Sequence, residues 1–98
     1  MDWTFSSTKK LEPLLKSLEK KQKALIASYN EQVEIIADNP KAGSSLQGDL
    51  GGYYSWDWTF HDISVRICYR FSEGDKHIYF VYFGTRENFY KELKRYLK

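Results

Sequence analysis

"YYSWDWTFHDISVRICYRF", residues Tyr53–Phe71, decides the fold. Tyr54, Trp56, Trp58 and Phe60 share one parity and Ser55, Asp57 and Thr59 the other, which is the two-residue period of a strand with one face buried. The same period continues beyond the "TFHDI" turn. Ile63, Val65, Ile67, Tyr69 and Phe71 alternate there with Ser64, Arg66, Cys68 and Arg70. Each strand therefore has a wet face, and that face has no apolar partner in the pattern. "SEGDK" follows as a turn, and "HIYFVYF" (His77–Phe83) is apolar on both parities, as expected for a strand near the middle of a sheet.

Outside this block the period changes. Towards the C-terminus, Phe89, Leu93, Tyr96 and Leu97 fall on one helical face, with Lys91, Lys94, Arg95 and Lys98 on the other. Towards the N-terminus, "DWTFSS" reads as a short first strand, and Ser7 or Thr8 can cap a helix by accepting from an unpaired backbone N–H. Leu11, Leu14, Leu15 and Leu18 give that helix its apolar face. Pro13 moves its start towards Glu12 or kinks it, because a proline beyond the first turn clashes with the preceding carbonyl. "EKKQK" is a polar break where the chain reverses. Leu25, Ile26, Tyr29, Val33 and Ile36 then stripe a second helix, which should stop by Asn39 because Pro40 disfavours helical geometry before it. The expected architecture is α+β: an N-terminal helical hairpin packed on a small, mostly antiparallel sheet of about four strands, closed by a C-terminal helix.

Composition narrows the function classes. At 98 residues the chain suits one domain, residues 1–98, and its 17% aromatic content supplies enough bulky core to fold without disulfides. The one cysteine, Cys68, permits no internal disulfide or thiolate metal cluster, and no stretch approaches membrane-spanning length. With no signal peptide after Met1, a cytoplasmic protein is the expectation. A formal charge of +2 is too small to indicate nucleic-acid binding by itself, so the placement of charge has to carry that argument. The glycines of "NPKAGSSLQGDLGG" lack the Lys-Ser or Lys-Thr ending and the preceding strand of a phosphate loop, and read as turn chemistry.

The polar strand parity holds the chemistry. Arg66 lies mid-strand, Asp57 lies on the facing strand, and Arg86 ends the last strand in "GTRENFY". Tyr90 follows Arg86 by four residues, so a helix starting there gives both one face. Two guanidinium groups match phosphate oxygens with paired, charge-assisted hydrogen bonds, and a phenol can stack on a base or move a proton. On the residues alone the bland reading is the better one: strand arginines facing solvent and a "RENFY" pair that closes a strand-to-helix joint. Cys68 shares the parity of Arg66, but no Cys-His-Asn order supports a thiol nucleophile. His77 reads as a partly exposed strand-end residue, since one histidine without further ligands makes no zinc site. Trp56 and Trp58 read as core, and the lysines of the first helix read as a solvated face or as contacts to RNA.

From Asn39 to Leu97 the sequence resembles the RelE/ParE superfamily of bacterial type II toxins. "NPKAGSSLQGDLGGYYS" is similar to the family's Pro-Gly-Leu-Gly-Tyr run, "VRICYRF" to its Tyr-Arg-hydrophobic-hydrophobic-Tyr strand, and "FGTRENFYKELKRYL" to its closing Gly-x-Arg and Tyr. The first half agrees in type only. The resemblance implies a RelE-like fold and a ribosome-dependent endoribonuclease that cuts mRNA in the A site, with no metal or organic cofactor. It implies mRNA, the ribosome with its rRNA, and a cognate antitoxin as partners, and no membrane. It assigns Arg66 to the scissile phosphate, Arg86 to phosphate or leaving-group stabilisation, and Tyr90 to orienting the substrate. RelE-type nucleases carry basic residues on alternate positions of the strand that here reads "YYSWDWTF", where Ser55 and Asp57 stand instead. The general base is therefore open between Asp57 and His61, both chemically suited to accept a proton. A ParE-like DNA gyrase inhibitor and an inactive antitoxin-binding homologue are the alternatives.

Overall fold

The computed structural model describes residues 3–85, Glu87 and residues 89–97. The chain runs β1 (Thr4–Ser7), α1 (Glu12–Lys21), α2 (Lys23–Asp38), β2 (Ser44–Ser45), β3 (Tyr54–Phe60), β4 (Ile63–Ser72), β5 (His77–Thr85) and α3 (Phe89–Tyr96). Five strands form one sheet in the order β1-β5-β4-β3-β2. The fifth strand, beyond the four expected, is the two-residue β2, held by Ser44 opposite Ser55. Among the described residues only β1 runs parallel to its neighbour, β5. The helical hairpin supplies the crossover that a parallel pair requires.

The hairpin follows the sequence pattern closely. Gln22 alone separates α1 from α2, and Asn39 ends α2 by leaving helical geometry before Pro40. Leu11, Ile26, Tyr29, Val33 and Ile36 are buried against Val65, Ile67, Tyr69, Ile78, Phe80 and Phe83 of the sheet. Each such side chain contributes about 1.5–3 kcal/mol on leaving water. The start of α1 differs from the capping expectation. Leu11 stands at the N-cap with no side-chain cap bond, and Pro13 sits within the first turn. The Thr8 carbonyl accepts from the N–H groups of Leu11 and Glu12, so a backbone turn does the work expected of a Ser7 or Thr8 hydroxyl.

Trp56 and Trp58 belong to the core, as their parity predicts. Their indole N–H groups donate to Gln32 Oε1 and Ser28 Oγ of α2, both at 2.8 Å. The apolar character of "HIYFVYF" on both parities has a local cause. Cys68 faces Tyr82 whereas Tyr69 faces Phe80, so Val81 is an extra residue bulged out of the β4–β5 ladder. The bulge switches the parity of β5, and Phe80 and Phe83 both reach the hairpin side although they are an odd number of positions apart.

The opposite sheet face is not bare. Contrary to the sequence expectation, α3 lies across its middle, where Phe89 and Leu93 bury Cys68 and Val81. Tyr82 packs there too, with its ring centroid 5.3 Å from Phe89 and 4.6 Å from Tyr96. A helix of eight residues whose apolar residues recur at i, i+4 and i+7 has one stripe to bury, and the sheet receives it.

Candidate functional site

A two-residue turn fixes which residues meet on that face. His61 and Asp62 both take positive φ, 47° and 66°, the geometry of a tight hairpin turn whose twist matches its strands. Phe60 therefore pairs with Ile63, and three steps inward Asp57 pairs with Arg66. A one-residue slip would send both side chains into the hairpin core.

The Asp57 carboxylate and Arg66 guanidinium join at two points, Nε to Oδ1 at 2.6 Å and Nη2 to Oδ2 at 2.9 Å. Arg66 Nη1 donates to the Tyr90 hydroxyl at 2.9 Å. The guanidinium carbon lies 5.2 Å from the Tyr90 ring centroid and 5.6 Å from that of Phe89, within reach of both π-faces. Arg66 thus has its cation enclosed, with 13% of its side chain exposed, whereas the side chain of Asp57 is 52% exposed. The hydrogen bond that Arg66 donates to Asp57 raises the guanidinium above its ordinary value, so it is a permanent cation.

Of the five residues singled out in sequence, Asp57, Arg66 and Tyr90 come together here. Arg86 lies outside the described residues. Tyr90 is the second residue of α3 and sits 40% exposed over the arginine. His61 stands apart at the hairpin turn, stacked on Phe60 with ring centroids 4.2 Å apart. Roughly 13 Å of strand rise separates it from Asp57. Phe89, which the sequence reading treated only as helix stripe, is the side chain that brings α3 against Arg66. Its position directly before Tyr90 was the available signal.

The remaining candidates fall away from this cluster. Cys68 is completely buried, and desolvation pushes its thiol up to about 12, so it is not a nucleophile at neutral pH. His77 begins β5 and bridges two hydroxyls of β1, Thr4 Oγ1 at 2.6 Å from Nδ1 and Ser6 Oγ at 2.8 Å from Nε2. Among the described residues no three His, Cys, Asp or Glu side chains gather where a metal could sit, and no helix is long and apolar enough to cross a membrane.

The arrangement as a whole is an arginine held in place by a carboxylate and a phenol that accept its hydrogen bonds. Residues 5–94 match the family profile described as ParE-like toxin of type II bacterial toxin-antitoxin system. No curated protein matches the chain by sequence. Among solved structures, the RelBE2 toxin–antitoxin complex of Mycobacterium tuberculosis superposes with a TM-score of 0.73 at 18% identity, over 88% of this chain and 100% of that one. A double arginine mutant of E. coli RelE in the free state gives 0.73 at 9% identity, over 97% and 93%. The isolated E. coli RelE toxin gives 0.67 at 12% identity, over 98% and 99%. At such identities the likeness is one of fold.

Proposed function

Since the chain belongs to the ParE-like toxins of type II bacterial toxin–antitoxin systems and has a RelE-like fold, we propose that it is a metal-independent endoribonuclease that cuts mRNA in the ribosomal A site. The observation that carries this reading is Arg66, fixed mid-strand and shared by Asp57 and Tyr90. In the proposed reaction a ribose 2′-oxygen attacks the adjacent phosphorus, the bond to the 5′-oxygen breaks, and a cyclic phosphate remains. Arg66 stabilises the extra negative charge on the phosphorus-bound oxygens, a role that rigid donors perform well because they need no reorganisation. Arg86 offsets charge on the departing 5′-oxygen, which takes a proton from water. Tyr90 orients the nucleotide by stacking or by its hydroxyl. Asp57, which shares the cluster, accepts the 2′-hydroxyl proton in preference to His61 at the turn.

A cognate antitoxin is the protein partner, as expected of a type II toxin, and the cytoplasm is the compartment where both it and the ribosome are met. Primer extension on mRNA from cells expressing the chain tests the activity. In-frame cuts inside translated codons, lost in Arg66→Ala and Arg86→Ala, are expected. Intact mRNA accompanied by cleaved or relaxed DNA would replace this reading with gyrase inhibition. That second reading draws support from the ParE-like description of the family profile and from an acidic residue, Asp57, where RelE-type nucleases carry basic ones.

A further inference from the structure

We infer that Asp57 is a built-in phosphate mimic, a latch that occupies the phosphate-binding edge of Arg66 until an RNA phosphodiester displaces it. This rests on the reading of Arg66 as a phosphate ligand and adds what governs its availability.

The geometry carries the idea. A guanidinium offers two edges that match the two oxygens of either a carboxylate or a phosphate, Nε with one Nη and the two Nη nitrogens together. Asp57 takes the Nε edge with both oxygens, at 2.6 and 2.9 Å. Tyr90 takes a bond from the remaining nitrogen, and the faces of the cation lie beside Phe89 and Tyr90. An incoming phosphate therefore reaches the Nε edge of this arginine in the same two-point manner only by exchange with the carboxylate. Exchange is feasible because Asp57 is the half-exposed partner: its side chain can swing to water while Arg66 stays enclosed. An ion pair with one partner so exposed is worth about 0–1 kcal/mol, an affordable loss for a ligand that makes other contacts.

Two consequences follow for the same site. Isolated anions, which bring one charge and no further contacts, compete poorly with a carboxylate already in place. An RNA strand, which adds base stacking and neighbouring phosphates, displaces it.

The test is a double-mutant cycle on binding, read by NMR titration with inorganic phosphate and with a 2′-O-methyl trinucleotide, which cannot undergo 2′-oxygen attack. Asp57→Asn should tighten binding of both probes roughly fivefold, the factor that corresponds to about 1 kcal/mol. In an Arg66→Ala background the same substitution should give little gain, because no latched edge remains to be released. Asp57→Ser serves as a second variant should the asparagine disturb the hairpin. Equal gains with and without Arg66 would reduce Asp57 to simple charge repulsion and overturn the latch. Weaker binding in Asp57→Asn would overturn it as well, since it would make the carboxylate a support that positions Arg66. Cleavage is scored separately: a latch seen by titration with intact cellular mRNA removes the nuclease reading alone, and cut mRNA without the binding gain removes the latch alone.

Discussion

Asp57 and Arg66 stand directly opposite one another on β3 and β4, and their side chains meet at two points. Because two-point pairing needs a planar fork, lysine cannot substitute for arginine here although it keeps the charge. Arg66→Ala should lower mRNA cleavage by about 10²–10³, the usual loss for one transition-state donor, and Arg66→Lys should fall close to it. Folding stability should move by no more than about 1 kcal/mol, because the partner carboxylate is half exposed. Parallel cleavage assays and urea melts separate the two effects; a large loss of stability in Arg66→Lys would make the pair structural.

Tyr90 offers two different things to Arg66, a hydroxyl and a ring face. Tyr90→Phe removes only the first, and Tyr90→Ala removes both. If the ring orients the nucleotide by stacking, worth about 1–3 kcal/mol per base, the phenylalanine variant should retain most activity and the alanine variant lose about tenfold or more. Cleavage equally poor in both variants would assign the work to the hydroxyl.

α3 can be tested without reference to activity. Leu93 is fully buried over Cys68, and truncating it to alanine should cost about 2–5 kcal/mol. Cys68 should resist a thiol-labelling reagent in the native chain and react in Leu93→Ala under conditions where the hairpin side of the sheet remains folded. Rapid labelling of the unaltered chain would show that α3 opens readily on its own.

Burial also sets an alkaline limit on stability. The Cys68 thiol is pushed from 9.0 up to about 12 and the Tyr69 phenol from 10.0 up to about 12, in both cases chiefly by desolvation. In the unfolded chain these groups ionise first, so the folded state holds more protons between about pH 9 and 12. The stability is complete below the unfolded values and declines as pH rises through that window, by about 1.4 kcal/mol per pH unit for each proton. Cys68→Ala should flatten the slope near pH 9–10, where the thiol alone is responsible. An unchanged slope in denaturant melts would contradict the assignment.

The sequence made the fold legible because its two periods are strong and segregated: helix spacing up to Asn39, strand alternation from Tyr54. Trp56, Trp58 and the Arg66–Asp57 facing could be read because parity in a hairpin is all or nothing. Three features were hidden for physical reasons. The two-residue β2 has no period to detect. The bulge at Val81 is an irregularity that only the pairing partner reveals. The cover that α3 places over Cys68 is a tertiary choice between two sheet faces, and both faces of β5 are apolar enough to receive a helix. At the site, residue types pointed to an arginine able to pair with an anion, but the two-point contact between Asp57 and Arg66 depends on side-chain direction, which a sequence does not carry.

The loop before β3 depends on one side-chain hydroxyl, which gives a last test. Tyr69, fully buried on β4, donates to the Pro40 carbonyl at 2.6 Å and accepts from the Gly43 N–H at 3.1 Å, so one phenol ties down both ends of the turn that leaves α2. The approach is so close that a Cβ on Gly43 would overlap the Tyr69 hydroxyl. Gly43→Ala should therefore destabilise through this clash, and Tyr69→Phe should cost about 1–3 kcal/mol by leaving the carbonyl and N–H unpaired. The two losses share one cause. With the hydroxyl gone the closest contact is relieved while the Ser55 carbonyl, 2.8 Å from the added methyl, still crowds it, and the double variant should be less destabilised than the sum of the singles by about 0.5–3 kcal/mol. Strict additivity in urea melts would mean that the loop yields elsewhere and that Tyr69 does not hold it.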